Sequence, residues 1–250
     1  MEADYILETK SLAKEFKGFV AVSEVNLRVR RGAIHGLIGP NGAGKTTVFN
    51  LLTKFLSPTR GSIFFSGKDI TREKPAEIAR RGLVRSFQIS AVFPHLTVLE
   101  NVRIGLQRQI DSSFSFWRSE EALKKLDSRA LEILEQVGLQ AFAKVAAVEL
   151  PYGRKRTLEI ATTLALDPVV LLLDEPTQGL GLEDVERVKD LIREVASSRT
   201  VLMVEHNMSV VAGLCSVITV LQRGSVLAEG SYAEVSANPQ VLEAYLGASQ

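Results

Sequence analysis

A glycine-rich segment at positions 39–46, Gly-Pro-Asn-Gly-Ala-Gly-Lys-Thr, constrains the fold of this chain more than any other feature. The apolar segment 33–38 precedes it and predicts a buried strand. The segment 46–56 follows it and has apolar residues at helical spacing: Val48, Leu51, Leu52, Phe55 and Leu56. Strand, glycine turn and helix occur in this order around phosphate-binding loops, so we expect an α/β fold.

The residue types of segment 39–46 fit the charge of a nucleoside triphosphate. Glycines let the backbone curl until successive N–H groups point at phosphate oxygens, and the following helix N-terminus adds its dipole. Lys45 supplies a positive charge, and Thr46 is expected to place its hydroxyl on Mg²⁺. The residues predicted to bind the nucleotide are Gly39, Pro40, Asn41, Gly42, Ala43, Gly44, Lys45, Thr46 and Thr47. A glycine-rich turn with a solvated lysine is the alternative, and both the pattern and its context argue against it.

A second apolar segment, 169–173, ends in the adjacent carboxylates Asp174 and Glu175. The carboxyl ends of parallel strands meet at one edge of a sheet, so both carboxylates are expected near the phosphate-binding loop. Asp174 is predicted to hold Mg²⁺, directly or through water, and Glu175 to accept a proton from the attacking water. Alone, this pair would be explained as an acidic strand end. Together with the loop, it predicts hydrolysis.

His206 and Gln88 are two further candidates for catalysis. His206 follows the apolar segment 201–204 and is suited to bind the γ-phosphate or to orient the attacking water. A histidine at a strand end is nevertheless more often structural or solvated. Gln88 closes a strand-like segment, and its amide is suited to reach the metal or the water. A lone glutamine is a weak signal on its own.

The remaining strand patterns indicate two kinds of sheet. Alternating residues over 25–29 predict a half-buried strand that pairs with segment 5–16, and segment 61–67 predicts another short strand. Three apolar segments are typical of a buried parallel sheet: 169–173, 201–204 and 217–221. Antiparallel strands are therefore expected to open the fold, and a βαβ series to complete it.

Between about 95 and 150 the apolar residues follow helical spacing, which predicts a helical subdomain. A polar and aromatic loop at 111–117 interrupts it. The three aromatic side chains of that loop either dock a partner or pack onto their own subdomain, and the second outcome is the commoner one.

Composition excludes several function classes. Thirty basic and 29 acidic residues leave a formal charge of +1, which gives no support to an extended nucleic-acid-binding surface. Cys215 is the only cysteine, which excludes an intramolecular disulfide framework and a cysteine-based zinc cluster and predicts a buried, inert thiol. No apolar run approaches the roughly 18 residues that span a bilayer, and residues 1–4 lack the features of a signal peptide. We therefore expect a cytoplasmic location, with other subunits supplying any membrane-spanning segments.

Taken together, these motifs resemble those of the ATP-binding subunits of ATP-binding cassette (ABC) transporters, over nearly the whole chain. The resembling parts occur in the family's order: Phe16, the loop at 39–46, Gln88, the signature-like Leu-Pro-Tyr-Gly-Arg-Lys-Arg at 150–156, Asp174, Glu175 and His206. The resemblance implies that Phe16 stacks on adenine, that Gln88 links the nucleotide to the membrane subunits, and that two subunits sandwich two ATP molecules. Each ATP would contact the loop of one subunit and, in trans, Tyr152, Gly153 and Arg154 of the other.

The same resemblance implies a P-loop NTPase fold of ABC type over residues 5–248. Its core, 5–90 and 160–230, would combine a mostly parallel sheet and flanking helices with an antiparallel β subdomain. A helical subdomain with the signature would span about 95–158, and a helical tail 231–250.

Four segments are similar to the larger ATPase subunit of branched-chain amino acid importers: 38–47, 85–88, 93–102 and 241–247. An insertion near 108–120 also fits. Such importers pair two different ATPase subunits with two permease subunits and a periplasmic solute-binding protein. The resemblance therefore implies an ATP-hydrolysing subunit with ATP and Mg²⁺ as cofactors, located peripherally on the inner face of the cell membrane. Its ATPase partner would be a related subunit or a second copy of itself.

Three other functions compete with solute import. An ABC ATPase of a lipid or polysaccharide exporter would share these motifs. An ABC ATPase acting on nucleic acid or ribosomes usually carries tandem cassettes, coiled coils or zinc modules, and this chain shows none. A regulatory module that binds nucleotide without hydrolysing it has no need of Glu175. The solute itself stays open among branched-chain amino acids, urea, short amides and aromatic acids.

Three positions depart from the family pattern. Pro151 stands where a serine is usual, and it offers neither a hydroxyl nor an N–H. Arg154 replaces the usual glutamine, and Gly181 stands where an aspartate is usual. Because a signature serves the partner's ATP, we expect two unequal sites, with this chain's phosphate-binding loop in the better one. Arg154 is suited to compensate by offering its guanidinium to the phosphate.

Overall fold

Two β-sheets with helices packed around them form the chain in a computed structural model that describes residues 4–86, 92–107 and 120–246. The strands in these ranges are β1 (Tyr5–Phe16), β2 (Phe19–Val25), β3 (Arg28–Arg30), β4 (Ile34–Ile38), β5 (Arg60–Phe65), β6 (Lys68–Asp69), β7 (Leu83–Arg85), β8 (Val170–Asp174), β9 (Thr200–Val204), β10 (Val217–Gln222) and β11 (Ser225–Gly230). The helices are α1 (Lys45–Leu52), α2 (Pro75–Arg80), α3 (Val98–Gln107), α4 (Glu120–Gln136), α5 (Tyr152–Leu164), α6 (Leu182–Ala196), α7 (Met208–Leu214), α8 (Tyr232–Ser236) and α9 (Pro239–Leu246).

The central sheet has the strand order β11-β10-β4-β9-β8-β7. The five strands from β10 to β7 run parallel, and β11 pairs antiparallel with β10 at the edge. Every residue of β8 and β9 is buried, as expected when both faces of a parallel sheet are covered. This arrangement confirms the three predicted apolar strands and the mostly parallel core sheet.

The second sheet is antiparallel, with the order β2-β1-β5-β6 and with β3 paired to β1. It confirms the predicted pairing of segment 5–16 and the predicted strand at 61–67, which is β5. The single strand predicted over 25–29 is wrong, because β2 ends at Val25 and β3 begins at Arg28. At this break the Thr9 hydroxyl donates to the Val25 carbonyl and accepts from the Leu27 N–H, both at 2.8 Å. The Thr9 side chain thus takes the place of regular backbone hydrogen bonds between the strands at this break.

Helices α3, α4 and α5 pack together where a helical region was predicted. Their shared apolar cluster includes Val102 of α3, Ala130 and Leu134 of α4, and Leu158 of α5. The described residues of this region contain an isolated bridge between Thr97 and Ala146 and no strand, which confirms the helical prediction.

The aromatic loop at 111–117 lies outside the described residues. Within the described ranges, none of the helices combines the length and the apolar character that crossing a bilayer demands.

The helix after segment 39–46 is shorter than predicted. α1 ends at Leu52, not at residue 56. Lys54 adopts a left-handed conformation with φ +62°, which is how chains commonly leave a helix just after its cap. Phe55 is consequently 55% exposed and not part of the buried helical face. Burial lowers the pKa of the Lys54 ammonium, and the charge of Asp69 opposes that effect.

A buried histidine lies on β4, the strand that leads into segment 39–46. His35 is fully buried, and its Nε2 lies 2.8 Å from the Thr219 hydroxyl oxygen on β10. That hydroxyl donates to the Glu229 carboxylate at 2.7 Å, so its oxygen is left to accept from Nε2–H. Burial lowers the pKa of His35 to about 4. The imidazole is therefore neutral in the folded protein near pH 7.

Cys215 lies next to the same strand. A Cβ added to Gly36 would lie 2.9 Å from the Cys215 sulfur, so the absence of a side chain at Gly36 leaves room for the thiol. Burial, followed by the charge of Glu205, raises the pKa of Cys215 to about 12. The thiol stays protonated at neutral pH, in agreement with the predicted inert role, but Cys215 is half-buried and not fully buried as predicted.

His35 should make the folding stability depend on pH. With a pKa of about 4 in the folded chain and of about 6.5 in the unfolded chain, His35 binds protons mainly in the unfolded state between these values. Its contribution is complete above about pH 6.5 and is lost as the pH falls toward 4, by up to about 1.4 kcal/mol per pH unit. His35→Gln, which keeps a donor near Thr219, should lose less stability over that interval. Urea unfolding at a series of pH values measures both slopes, and equal slopes would contradict this assignment.

Candidate nucleotide-binding and hydrolysis site

The phosphate-binding loop (residues 39–46) turns sharply between β4 and α1. Gly39, Gly42 and Gly44 have φ angles of +147°, +77° and +100°, which disfavour other residues. A Cβ on Gly39 would collide with the Leu221 carbonyl oxygen, and one on Gly44 would lie 2.7 Å from the Ala21 carbonyl oxygen. The loop therefore needs glycine both for its turn and for its close approach to neighbouring backbone.

Lys45 is the first residue of α1, and its ammonium folds back over the loop. Its Nζ donates to the Gly39 carbonyl at 2.7 Å and to the Pro40 carbonyl at 3.0 Å. Burial lowers the pKa of Lys45, while the charges of Glu175 and Asp174 raise it. The cation is thus within electrostatic reach of both predicted carboxylates. Thr46 is exposed and Thr47 half-buried in the first helical turn, where N–H groups without intrahelical partners favour anions.

Asp174 ends β8 and is almost fully buried. Its Oδ2 forms an ion pair with Nη2 of Arg85 on β7. The Arg85 Nη1 donates to the Asn50 side chain of α1 at 2.6 Å. Asp174 Oδ1 has no hydrogen-bond partner among the described residues. A buried carboxylate oxygen without a protein partner is costly, and it marks a place for a ligand.

The residues around Asp174 fit a magnesium ion. Its Oδ1 and the Thr46 hydroxyl are hard oxygen ligands, which Mg²⁺ prefers. The described residues contain no group of three or more His, Cys, Asp or Glu side chains that would hold a metal by themselves. This donor set matches the usual binding of Mg²⁺ through one or two protein oxygens, water and substrate phosphates.

Glu175 follows Asp174 with a left-handed φ of +47°, and its N–H donates to the Val204 carbonyl at 2.9 Å. His206, two residues beyond the end of β9, has its Nδ1 4.0 Å from Glu175 Oε1. The same nitrogen lies 3.6 Å from Glu205 Oε2. The structure therefore brings the predicted base and the predicted histidine together at one edge of the sheet.

Glu205 has a role that the sequence did not indicate. Its side chain is fully buried, accepts from the His206 N–H at 2.9 Å and accepts a short hydrogen bond from the Thr177 hydroxyl. It therefore joins the loop after β8 to the loop after β9. A glutamate directly after an apolar strand was the available signal, but its partners are set by the fold.

Arg156 of α5 holds the backbone that carries the carboxylates. Its Nη2 donates to the carbonyls of Asp174 at 2.6 Å and Glu175 at 2.8 Å, and its Nε donates to the Pro176 carbonyl at 3.2 Å. Its Nη1 pairs with Glu159 at 2.6 Å. Sequence reasoning placed Arg156 in the signature-like segment without assigning this contact. Segment 85–88 likewise gives no sign of the contacts that Arg85 makes with Asn50 and Asp174.

The signature-like residues lie at the start of α5, for which Pro151 is the N-cap. Tyr152 is 61% exposed, and its hydroxyl donates to the Gln178 carbonyl at 3.3 Å. Gly153 is buried against the Asp184 carboxylate of α6. Arg154 donates to the Gly138 carbonyl at 3.0 Å and lies over the Phe142 ring at 5.0 Å. None of these described contacts involves the chain's own phosphate-binding loop.

Phe16, the residue predicted to stack on adenine, belongs to the antiparallel sheet. Phe16 ends β1 and is 41% exposed, with Nζ of Lys14 5.1 Å from its ring centroid. Its role in stacking on adenine stays a prediction. Gln88 lies within 87–91, outside the described residues, and β7 ends two residues before that range. Gly181, one of the departures from the family pattern, is the N-cap of α6 and offers no capping side chain.

Comparison with known proteins identifies the family. Residues 22–178 match the family described as ABC transporter, and residues 225–249 match the one described as branched-chain amino acid ATP-binding cassette transporter. The chain is 40% identical to the high-affinity branched-chain amino acid transport ATP-binding protein BraF of Pseudomonas aeruginosa, over 97% of this chain and 98% of that protein. It is 38% identical to the corresponding Escherichia coli protein LivG, with the same coverage.

Solved structures agree with this relationship. An ATP-binding cassette of an ABC transporter in its ADP conformation matches with a TM-score of 0.87 and 32% identity, over 97% of this chain and 99% of that one. A dimeric ATP-binding cassette bound to ADP and phosphate matches with a TM-score of 0.78 and 27% identity, over 90% and 98%. These matches confirm the predicted P-loop fold of ABC type. The chain belongs to the ABC transporter family and is one of its ATP-binding cassettes.

Proposed function

We propose that this chain is the ATP-binding and ATP-hydrolysing subunit of an importer, and that it powers solute transport through a membrane permease. The observation that carries the proposal is the strand register: Leu37 of β4 and Asp174 of β8 both pair with Val204 of β9. This register places the loop that contains Lys45 at the same edge of the sheet as Asp174 and Glu175. A cation for phosphate oxygens and a base for water therefore share one edge of the sheet. The relatives in Pseudomonas aeruginosa and Escherichia coli are branched-chain amino acid transport proteins, which supports branched-chain amino acids, or related amino acids and amides, as solutes.

In the proposed reaction the loop N–H groups and Lys45 bind the phosphates, and Phe16 stacks on adenine. Glu175 accepts a proton from the attacking water. His206, close to Glu175, orients that water or hydrogen-bonds the γ-phosphate. These groups would lower the barrier by positioning and by electrostatic stabilisation.

We also propose Mg²⁺ as the cofactor, held by Thr46, Asp174 and Gln88. When bound, the ion would neutralise charge on the phosphate oxygens. The contribution of the protein is an oriented carboxylate. Arg85 pairs with Oδ2 of Asp174 and leaves Oδ1 without a hydrogen-bond partner among the described residues.

The active assembly is proposed to contain two ATPase subunits with composite sites. The dimeric relative bound to ADP and phosphate supports such pairing. Each ATP would lie between one subunit's loop and the other's Tyr152, Gly153 and Arg154. The second subunit would be a related ATPase, or a second copy of this chain.

Further partners follow from the role in import. Two permease subunits would span the membrane, and a periplasmic solute-binding protein would act through them. The chain would lie on the inner face of the membrane as one cassette over residues 5–248. Its near-neutral charge gives no reason to add nucleic acid as a partner.

Import itself is the first test. Vesicles that contain the complete importer and its binding protein should accumulate labelled leucine only when ATP is supplied on the cytoplasmic side. Omission of this chain should abolish accumulation. Transport that continues without the chain, or ATP-driven movement of solute outward, would contradict the proposal.

Glu175→Gln tests the assigned base. The amide keeps the shape of the side chain but cannot accept the proton, so turnover should fall about 10²- to 10⁴-fold. The dissociation constant for ATP should change little. Glu194→Gln, at an exposed carboxylate of α6, is the matched control and should retain full turnover. Phosphate release and equilibrium ATP binding measure the two quantities, and normal turnover in Glu175→Gln would refute the role.

Pro151→Ser tests the expected inequality of the two composite sites. The chain paired with itself should hydrolyse ATP slowly, because Pro151 offers no hydroxyl to the ATP of the opposite subunit. Serine restores that hydroxyl and is itself a favourable N-cap for α5, so turnover of the self-paired chain should rise at least about 10-fold.

Pro151→Ala is the matched control, since it removes proline without adding a hydroxyl, and it should leave turnover low. With a related subunit whose signature is complete, turnover of wild-type chain should exceed that of the self-paired chain. Equal rates in the two assemblies, or an equal gain in Pro151→Ala, would contradict the expectation.

A further inference from the structure

The guanidinium of Arg85 lies between β8 and α1 and contacts both. Its Nη2 pairs with Oδ2 of Asp174, and its Nη1 donates to the Asn50 side-chain oxygen at 2.6 Å. Its Cζ lies 5.6 Å from the centre of the Phe49 ring. One side chain of β7 therefore joins the strand end that carries Asp174 to two consecutive residues of α1.

The central sheet fixes the starting point of this guanidinium. Arg85 pairs with Leu172 of β8, and the Ser86 N–H donates to the Leu172 carbonyl at 2.9 Å. Paired residues of neighbouring strands point to the same face of a sheet, and so do residues two apart on one strand. Arg85, Leu172 and Asp174 thus share one face. On that face Leu172 belongs to the same apolar cluster as Phe49 of α1, and only 9% of the Arg85 side chain is exposed.

Asn50 lies on the same face of α1 as Thr46, because residues four apart on a helix lie one above the other. Thr46 and Asp174 are two of the proposed protein ligands of Mg²⁺. Mg²⁺ requires near-ideal octahedral geometry at about 2.0–2.1 Å, so a small displacement of one ligand weakens its binding. The hydrogen bond between Arg85 and Asn50 connects the two elements that carry these ligands.

We infer that Arg85 and Asn50 are positioning residues for the metal: their hydrogen bond holds α1 in a fixed position against β8. The two ligand oxygens, one on each element, are thereby kept in place relative to each other. This inference rests on the proposed binding of ATP with Mg²⁺. Stability alone explains the arrangement poorly, because a buried ion pair seldom recovers the cost of removing its charges from water.

The test is Asn50→Ala in the full chain, which removes the acceptor for Arg85 Nη1 and leaves every proposed ligand of phosphate or metal intact. Mn²⁺ binds the same kinds of oxygen ligand as Mg²⁺, and its EPR spectrum reports binding directly. In the complex with a non-hydrolysable ATP analogue, the dissociation constant for Mn²⁺ should rise about 2- to 10-fold, the effect of one hydrogen bond. The dissociation constant for the analogue in EDTA should not change. Asn26→Ala, which removes an acceptor of the Ser11 N–H at 2.8 Å between β2 and β3, is the matched control and should behave as wild type does.

A double-mutant cycle separates one shared contact from two independent effects. Arg85→Lys keeps a positive charge for Asp174 but lacks the planar fork through which arginine donates to two elements. It should therefore weaken Mn²⁺ binding, and Asn50→Ala added to it should cause no further loss. Additive losses in the double variant would overturn the inference, because they would show that the two residues act separately.

The two dissociation constants also separate this inference from the proposed function. Equal losses of affinity for Mn²⁺ and for the metal-free analogue in Asn50→Ala would overturn the inference, because they indicate general destabilisation. If the wild-type chain binds neither the analogue nor Mn²⁺, the proposed function fails and the inference fails with it. Normal binding by the wild-type chain, together with unchanged Mn²⁺ binding in Asn50→Ala, would overturn the inference alone.

Discussion

The parallel pairing of β4, β9 and β8 is the constraint on which the whole site depends. Leu37 of β4 and Asp174 of β8 both pair with Val204 of β9, so the three residues form one row across the sheet. Neighbouring strands lie about 4.8 Å apart, which places the three strand ends within about 10 Å. Two residues beyond Leu37 the phosphate-binding loop begins, one residue beyond Asp174 comes Glu175, and two beyond Val204 comes His206. Segments distant in sequence therefore meet at the edge of the sheet where the site is proposed.

Buried carboxylates at this edge need compensating charge, and two arginines supply it. Arg85 pairs with Asp174, and Arg156 donates to backbone carbonyls of residues 174–176. Removing two charges from water costs free energy that a buried ion pair seldom recovers in full, so such pairs are weak contributors to stability. A better account of Arg85 is orientation, since it pairs with Oδ2 of Asp174 and leaves Oδ1 without a protein partner among the described residues. Arg156 belongs to α5, the helix that begins with the signature-like residues. Its hydrogen bonds therefore join that helix to the backbone that carries Asp174 and Glu175.

Patterns confined to a few consecutive residues were predictable from the sequence. The glycine-rich loop and the apolar strands of the central sheet were such patterns, because local conformation and burial of both faces determine them. The Arg85–Asp174 pair joins residues 89 positions apart, and no local pattern indicates it. The break after Val25 was missed for the same reason, since Thr9 causes it from a different strand. α1 was overextended because apolar spacing continues through Leu56, whereas the left-handed turn at Lys54 has no glycine to signal it.

The contacts of Arg154 limit how far it can compensate for Pro151. In the described structure its guanidinium donates to the Gly138 carbonyl and lies on the Phe142 ring. Leaving both would cost about 0.5–1.5 kcal/mol for the hydrogen bond and about 0.5–1 kcal/mol for the ring contact. A hydrogen bond to a charged phosphate contributes about 1.5–3 kcal/mol. The free energy gained at the phosphate is therefore close to the free energy lost by leaving Gly138 and Phe142. Arg154 therefore gains little by moving. In the proposed dimer the weakness would fall on the ATP held by the opposite subunit, because only that ATP would contact this signature-like segment.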